Sequence, residues 1–129
     1  MEEQLTALLL NAASLTALVP ASNIHWGRAP QGTSPSYITM QVVSGLNDYH
    51  MQGASGYVST RIQFDVYAST YEASKNAARA LKSVLSGYKG GPFLGIFIDS
   101  ERDLPAADAG NVSVLFRTSI DFIIHHQEN

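Results

Sequence analysis

The sequence predicts a single α+β domain: a mainly antiparallel β-sheet with two helices packed on one face, in the order α-β-β-β-α-β-β. Three observations carry that prediction. Apolar residues alternate with period two in three separate stretches, as in strands that bury one face. Two other stretches repeat apolar residues at i, i+3, i+4 and i+7, the spacing of a half-buried helix. The chain, residues 1–129, is long enough for one core and shows no linker, internal repeat or low-complexity tract.

The opening stretch, Glu2 to Ala12, reads as a helix with Leu5, Leu8, Leu9 and Ala12 on one face. Glu2 and Glu3 fall in its first turn, where the positive end of the helix dipole favours carboxylates. Ser14 is placed to cap a second short turn, Leu15 to Leu18, which Pro20 stops. A short extended piece, Asn23 to Arg28, leads into the loop Ala29-Pro30-Gln31-Gly32-Thr33-Ser34-Pro35, where prolines and glycine disfavour regular structure.

From Ser36 to Val43, Ile38, Met40 and Val42 alternate with Tyr37, Thr39 and Gln41, predicting a strand. Ser44 to Gly56 contains Gly45, Gly53 and Gly56 and little apolar content, so the expectation is a mobile connection, longer than a tight hairpin needs. The clearest strand is Tyr57 to Ala68. There Val58, Ile62, Phe64, Val66 and Ala68 point inward, and Ser59, Arg61, Gln63, Asp65 and Tyr67 point out.

Ser69-Thr70-Tyr71-Glu72 has the form of a capping box, with Ser69 bonding forward and Glu72 back. The helix it opens carries Ala73, Ala77, Ala80, Leu81, Val84 and Tyr88 as its buried stripe, opposite Lys75, Arg79, Lys82 and Ser86. Gly87 is placed to end it in a left-handed cap. After Gly90-Gly91-Pro92 come a strand from Phe93 to about Asp99, a polar connection from Ser100 to Gly110, and a last strand from Asn111 to His125.

Composition narrows the function. A net charge of −3 gives no basic footprint for wrapping nucleic acid. The absence of cysteine removes disulfides, thiol nucleophiles and thiolate metal sites. Met1-Glu2-Glu3 is acidic where a signal peptide is basic, and no apolar run approaches membrane-spanning length. The expectation is a soluble protein with no membrane partner, assembled in a cytoplasm.

No phosphate-cradling loop, dinucleotide fingerprint, metalloprotease helix or nucleophile elbow is present. Gly53-Ala54-Ser55-Gly56 sets a serine between glycines, but at the wrong spacing for an elbow. Of the histidines, His125 and His126 are adjacent and point to opposite faces of a strand, His50 lies in the glycine-rich stretch, and His25 flanks Trp26. Asp99-Ser100-Glu101-Arg102-Asp103 would put three carboxylates on one side if extended, as a hard cation needs, but it lacks the glycine and terminal glutamate of a calcium loop and Arg102 intervenes, so a solvated loop is the favoured reading. The row Lys75, Arg79, Lys82 could approach DNA, or form only the wet side of its helix. The sequence predicts no catalytic residue, no cofactor and no metal ligand, hence not an enzyme.

The sheet face away from the helices carries the functional clue. It mixes polar groups with Tyr37, Val43, Tyr67, Phe97, Leu115 and Ile123, more apolar than a freely solvated face. Such a mixture suits a surface buried against another subunit. Those six residues are the candidate subunit-interface set, and Leu46, Asn47, Asp48, Tyr49, His50 and Met51 are the candidate partner-binding residues of the intervening loop.

Several stretches together resemble the small tail-completion proteins of long-tailed phages, also called tail terminators or tail-to-head joining proteins. They are the Leu-rich opening helix with Ser14-Leu15-Thr16-Ala17-Leu18, then Ala29-Pro30-Gln31-Gly32-Thr33, then Tyr37-Ile38-Thr39-Met40. Arg61-Ile62-Gln63-Phe64-Asp65-Val66-Tyr67-Ala68 and Ala73 to Leu85, with the glycine-rich turn after it, complete the match in element order. That family often has proline directly before the tyrosine that opens the second strand; here Ser36 separates Pro35 from Tyr37.

The resemblance implies a homo-oligomeric ring, a hexamer, at the head-proximal end of the virion tail, formed in the host cytoplasm during assembly. Such a ring would bind the tail tube protein, stop its polymerisation and present a surface to the connector or stopper protein of the head. DNA would pass through it without sequence-specific binding. Three alternatives stay open from the residues alone: a head-side adaptor or stopper of the same particle, a small metal-dependent hydrolase, and a nucleic-acid module.

Overall fold

A computed structural model describes residues 2–27, 36–50, 53–91, 93–104 and 116–127. Helix α1 (Glu2–Leu10) and the short α2 (Ala13–Thr16) precede a 3₁₀ turn, Ala21–Asn23. Strands β1 (Ile24–Trp26), β2 (Tyr37–His50) and β3 (Gly53–Ala68) follow, then helix α3 (Tyr71–Leu85) and strands β4 (Phe93–Leu104) and β5 (Phe116–Gln127). The expected α+β architecture and order are present.

The five strands form one sheet in the order β1-β2-β3-β5-β4. β1 runs parallel to β2, with Ile24 opposite Ile38, and every other neighbouring pair is antiparallel. The inward-pointing residues of the alternating stretches form one buried cluster: Ile38, Met40, Ile62, Phe64, Val66, Ile96, Ile120, Phe122 and Ile124. Leu5, Leu9 and Leu15 from the N-terminal helices, Val19 just after α2, and Ala77, Ala78, Leu81 and Leu85 from α3 close over it. At its centre Phe64 and Phe122 meet edge to face, ring centroids 5.2 Å apart.

α3 lies close to the sheet because small residues line its buried side. Ser74, fully enclosed, shares a 2.6 Å hydrogen bond with Thr118 of β5. The buried stripe is Ser74, Ala77, Ala78, Leu81 and Leu85, rotated from the expected one, so that Ala73, Ala80, Val84 and Tyr88 sit at its margin. The start is also shifted. Thr70, not Ser69, caps the helix, its hydroxyl accepting from the Ala73 amide at 3.0 Å, so the Ser69–Glu72 box does not form. Gly87, at φ 76°, takes the left-handed conformation beyond the helix end and donates to Ile96 at 2.8 Å. Ser14 likewise lies inside α2 rather than capping it; Ala12 holds that position without a side-chain bond.

The largest departure concerns Ser44 to Gly56. Instead of a mobile connection, β2 continues to His50 and β3 begins at Gly53, with Tyr49 opposite Ala54 and His50 opposite Gly53. Glycines and polar residues argued for a loop, but the ladder is made by backbone groups. A bulge at Val43 and a register shift between Asn47 and Tyr49 absorb the irregular side-chain pattern. β4 similarly runs on to Leu104, where a polar connection was expected from Ser100. The first part of the expected last strand, 111–115, lies outside the described residues.

Candidate functional site: the outer sheet face

Tracing the register gives the face opposite the helices. β3 contributes Ser59, Arg61, Gln63, Asp65 and Tyr67, which stand opposite His125, Ile123, Asp121, Ser119 and Arg117 of β5. Tyr37 of β2 stands opposite Tyr67, and Phe97 of β4 opposite Ile123.

The middle of this face is a charge lattice rather than an apolar patch. Asp65, 4% exposed, accepts from Arg117 through Nη2 at 3.1 Å and Nε at 3.2 Å, and from Gln63 Nε2 at 3.0 and 3.2 Å. Asp121, 7% exposed, is approached by Arg61 Nε at 3.4 Å and Arg102 Nη1 at 3.7 Å, and Arg61 also pairs with Asp99. The long guanidinium side chains lie over the short carboxylates and hide them. Burial alone would lower the Arg117 pKa, but the hydrogen bond and charge of Asp65 leave it raised. Two buried atoms, Ser119 Oγ and Asp121 Oδ1, have no hydrogen-bond partner among the described residues.

The predicted interface residues fall at two corners around that lattice. At one, Tyr37 and Tyr67 stack with centroids 4.7 Å apart and planes 20° apart, and the Arg117 guanidinium lies 5.6 Å from the Tyr67 ring. Burial raises the pKa of both phenols. At the diagonally opposite corner, Phe97, 52% exposed, folds over Gly95 and meets His125 edge-on at 5.7 Å, next to Ile123. Val43 is half exposed at its bulge, and Leu115 lies outside the described residues. The structure therefore gathers the described candidates into two separate groups, with Val43 on the β2 edge.

Of the proposed partner-binding residues, Leu46, Asn47, Asp48, Tyr49 and His50 belong to β2, so they form part of a β-ribbon; Met51 lies outside the described residues. Among the described residues, neither β1 nor β5 accompanies the ribbon to its end: β1 pairs with β2 as far as Met40, and β5 pairs with β3 from Tyr57.

The carboxylates of 99–103 do not share a side. A bulge at Asp99 sends that residue to Arg61 on the outer face, while Glu101 and Asp103 turn toward α3. There Lys82 holds Glu101 at 2.8 Å, and Lys75 and the Tyr71 hydroxyl hold Asp103 at 2.6 and 3.0 Å. The Lys75 hydrogen bond keeps the Asp103 carboxyl below its usual range, with Tyr71 assisting against burial, and reciprocally raises Lys75. Lys75 and Lys82 thus bind β4 instead of forming a free basic row. Among the described residues no group of three or more histidines and acids converges to hold a metal. None of the described helices is long and apolar enough to cross a membrane.

Comparison with known proteins adds the remaining evidence. The model of the family described as "Tail completion protein gp17" matches residues 3–124. No curated protein matches the chain. Among solved structures, a chain of the "Virion of native gene transfer agent (GTA) particle" superposes with a TM-score of 0.73 at 17% identity, covering 94% of this chain and 90% of that one. That likeness concerns the fold.

Proposed function

The chain belongs to the tail completion protein gp17 family, a family of structural phage-tail proteins, and from that premise we propose that it is the ring-forming terminator of the tail. Copies assemble, six to a ring, on the head-proximal end of the tail tube. The ring halts addition of tube protein and offers its opposite side to the connector or stopper of the head, with DNA passing through the middle.

The observation that carries this reading is the family match over residues 3–124, nearly the whole domain. The outer face supports it. A closed ring of identical subunits needs two different patches on each copy, and the Tyr37–Tyr67 and Phe97–Ile123 corners are two such patches. A neighbour covering the lattice between them would also supply partners for Ser119 Oγ and Asp121 Oδ1. The β2–β3 ribbon, which carries Leu46 to His50 on β2, is the element for reaching the tube or the connector. A structural role of this kind requires no catalytic group.

Electron microscopy of particles assembled without this protein tests the proposal. Overlong tubes beside unattached heads are the expected outcome. Tails of normal length that fail only in joining heads would instead indicate a head-side adaptor, and particles of normal form would refute both roles.

A further inference from the structure

Building on the ring reading, we propose that Arg79 of each copy enters a groove between α1 and β1 of the next, where it pairs with Glu3 and lies against Trp26. The groove is lined by Glu3, Thr6, Ala7 and Leu10 of α1 and by Trp26 of the edge strand β1. Its volume, about 420 Å³, falls in the range of sites that enclose small ligands, enough for one long side chain. Ala7 and Leu10 are exposed, and Trp26 is half-buried, its ring N–H bonded to Thr6 at 2.7 Å. The Glu3 carboxylate is exposed and has no basic partner among the described residues. An aromatic ring, an aliphatic wall and a carboxylate together receive a guanidinium, which stacks on the first and hydrogen-bonds the last.

Three observations name a second copy as the occupant. The first is charge. Residues 1–27 carry Glu2 and Glu3 and no lysine or arginine, so this flank favours a positively charged partner. The cleft between α3 and β4 is its complement, lined by Lys75, Arg79, Lys82 and Arg102 against Glu101 and Asp103. Lys75 and Lys82 hold the two acids, and Arg102 leans toward Asp121. Arg79 is left exposed, with no acid partner among the described residues. Lys89 also lacks one, but it lies beyond the end of α3 and outside the cleft.

The second is position. In a closed ring each copy meets one neighbour with one patch and the other neighbour with a different one. Groove and cleft lie at opposite ends of the sheet, beside β1 and β4. A ring closed through these ends brings the groove of one copy to the cleft of the next.

The third is continuity. Tyr37 opens β2 next to β1, and Phe97 belongs to β4. Each flank therefore runs on into one of the two outer-face corners, and one neighbour can cover both.

Charge exchange in the full chain tests the contact. Arg79→Glu and Glu3→Arg are made singly, with Lys89→Glu as a control for altered charge. Circular dichroism checks their fold, native mass measurement their assembly. Each of the first two should weaken ring formation by about tenfold or more, and Lys89→Glu should leave it unchanged. Mixing Arg79→Glu with Glu3→Arg should restore rings that hold both variants in equal number, because every contact again sets an acid against a base.

Rings that form normally from both single variants, whether or not they still bind tails, overturn this contact and leave the ring reading standing. Failure of the mixture along with the single variants overturns it too, since the two residues then act at separate places. A mixture that stops at a dimer signals a two-fold contact, with the same consequence. A native chain that remains monomeric at every concentration and on isolated tails overturns the ring reading itself, and this inference with it.

Discussion

Replacing Arg117 with methionine asks whether the centre of the outer face stabilises the monomer. Arg117 grips Asp65 through two nitrogens, and the Asp65 side chain is only 5% exposed, so the carboxylate cannot replace a lost partner with bulk water. Breaking a fully buried ion pair from one side costs roughly 3–5 kcal/mol. Two features lower that figure here: Arg117 itself keeps 24% exposure, and Gln63 continues to donate to both carboxylate oxygens. The expected loss is about 2–4 kcal/mol. Asp65→Asn should cost less, about 1–2 kcal/mol, because the released guanidinium can turn to solvent. The double variant should then be more stable than the sum of the single losses implies, by about 1–2 kcal/mol. Urea unfolding followed by far-UV circular dichroism measures all four proteins. The concentration must stay below that of assembly, since association would add its own stabilisation. A loss under about 0.5 kcal/mol for Arg117→Met, or strict additivity in the double variant, would refute the lattice as a source of stability.

Capping offers a sharper pair: Thr70→Ala should cost about 1 kcal/mol and Ser69→Ala close to nothing, by the same unfolding assay. The Lys75–Asp103 contact predicts a pH signature. The Asp103 carboxyl is lowered, so its contribution is present above the ordinary aspartate value and fades as pH falls through the folded one; Lys75 is raised, so its share persists below the ordinary lysine value and is lost as pH rises through the folded one. The stability gap between the native chain and Asp103→Asn, followed by urea midpoints across pH, should therefore close in acid and in strong alkali and be fullest between. Tyr67→Ala removes the stacked partner of Tyr37; sedimentation should show weaker assembly, with a stability loss limited to about 1 kcal/mol.

The sequence revealed what local patterns encode. Alternation identified the inner face of β3 without error from Ile62 to Ala68, and the same parity put Tyr37, Tyr67, Phe97 and Ile123 on the opposite side. It misjudged features set by partners distant in the chain. The ribbon reads as a loop because its glycines and polar residues break the period-two pattern, while its ladder is made of backbone. The Asp99 bulge, which divides the acids of β4 between two faces, has no local signature; neither do the ties from Lys75 and Lys82 that draw β4 beyond Ser100. Asp65 reads only as an outward position, with nothing local to say that it and Asp121 are buried. Arg117 of β5 lies across Asp65, and Arg61 of β3 and Arg102 of β4 lie across Asp121.

One small contact gives this molecule an intrinsic optical probe. Trp26, the single tryptophan, belongs to β1 and donates its indole N–H to Thr6 of α1 at 2.7 Å. Its emission therefore responds to the seating of the first helix. Should that helix lift from the sheet when the protein meets its partners, the indole would lose this acceptor and its fluorescence would shift to the red, while the circular dichroism of the sheet stayed unchanged.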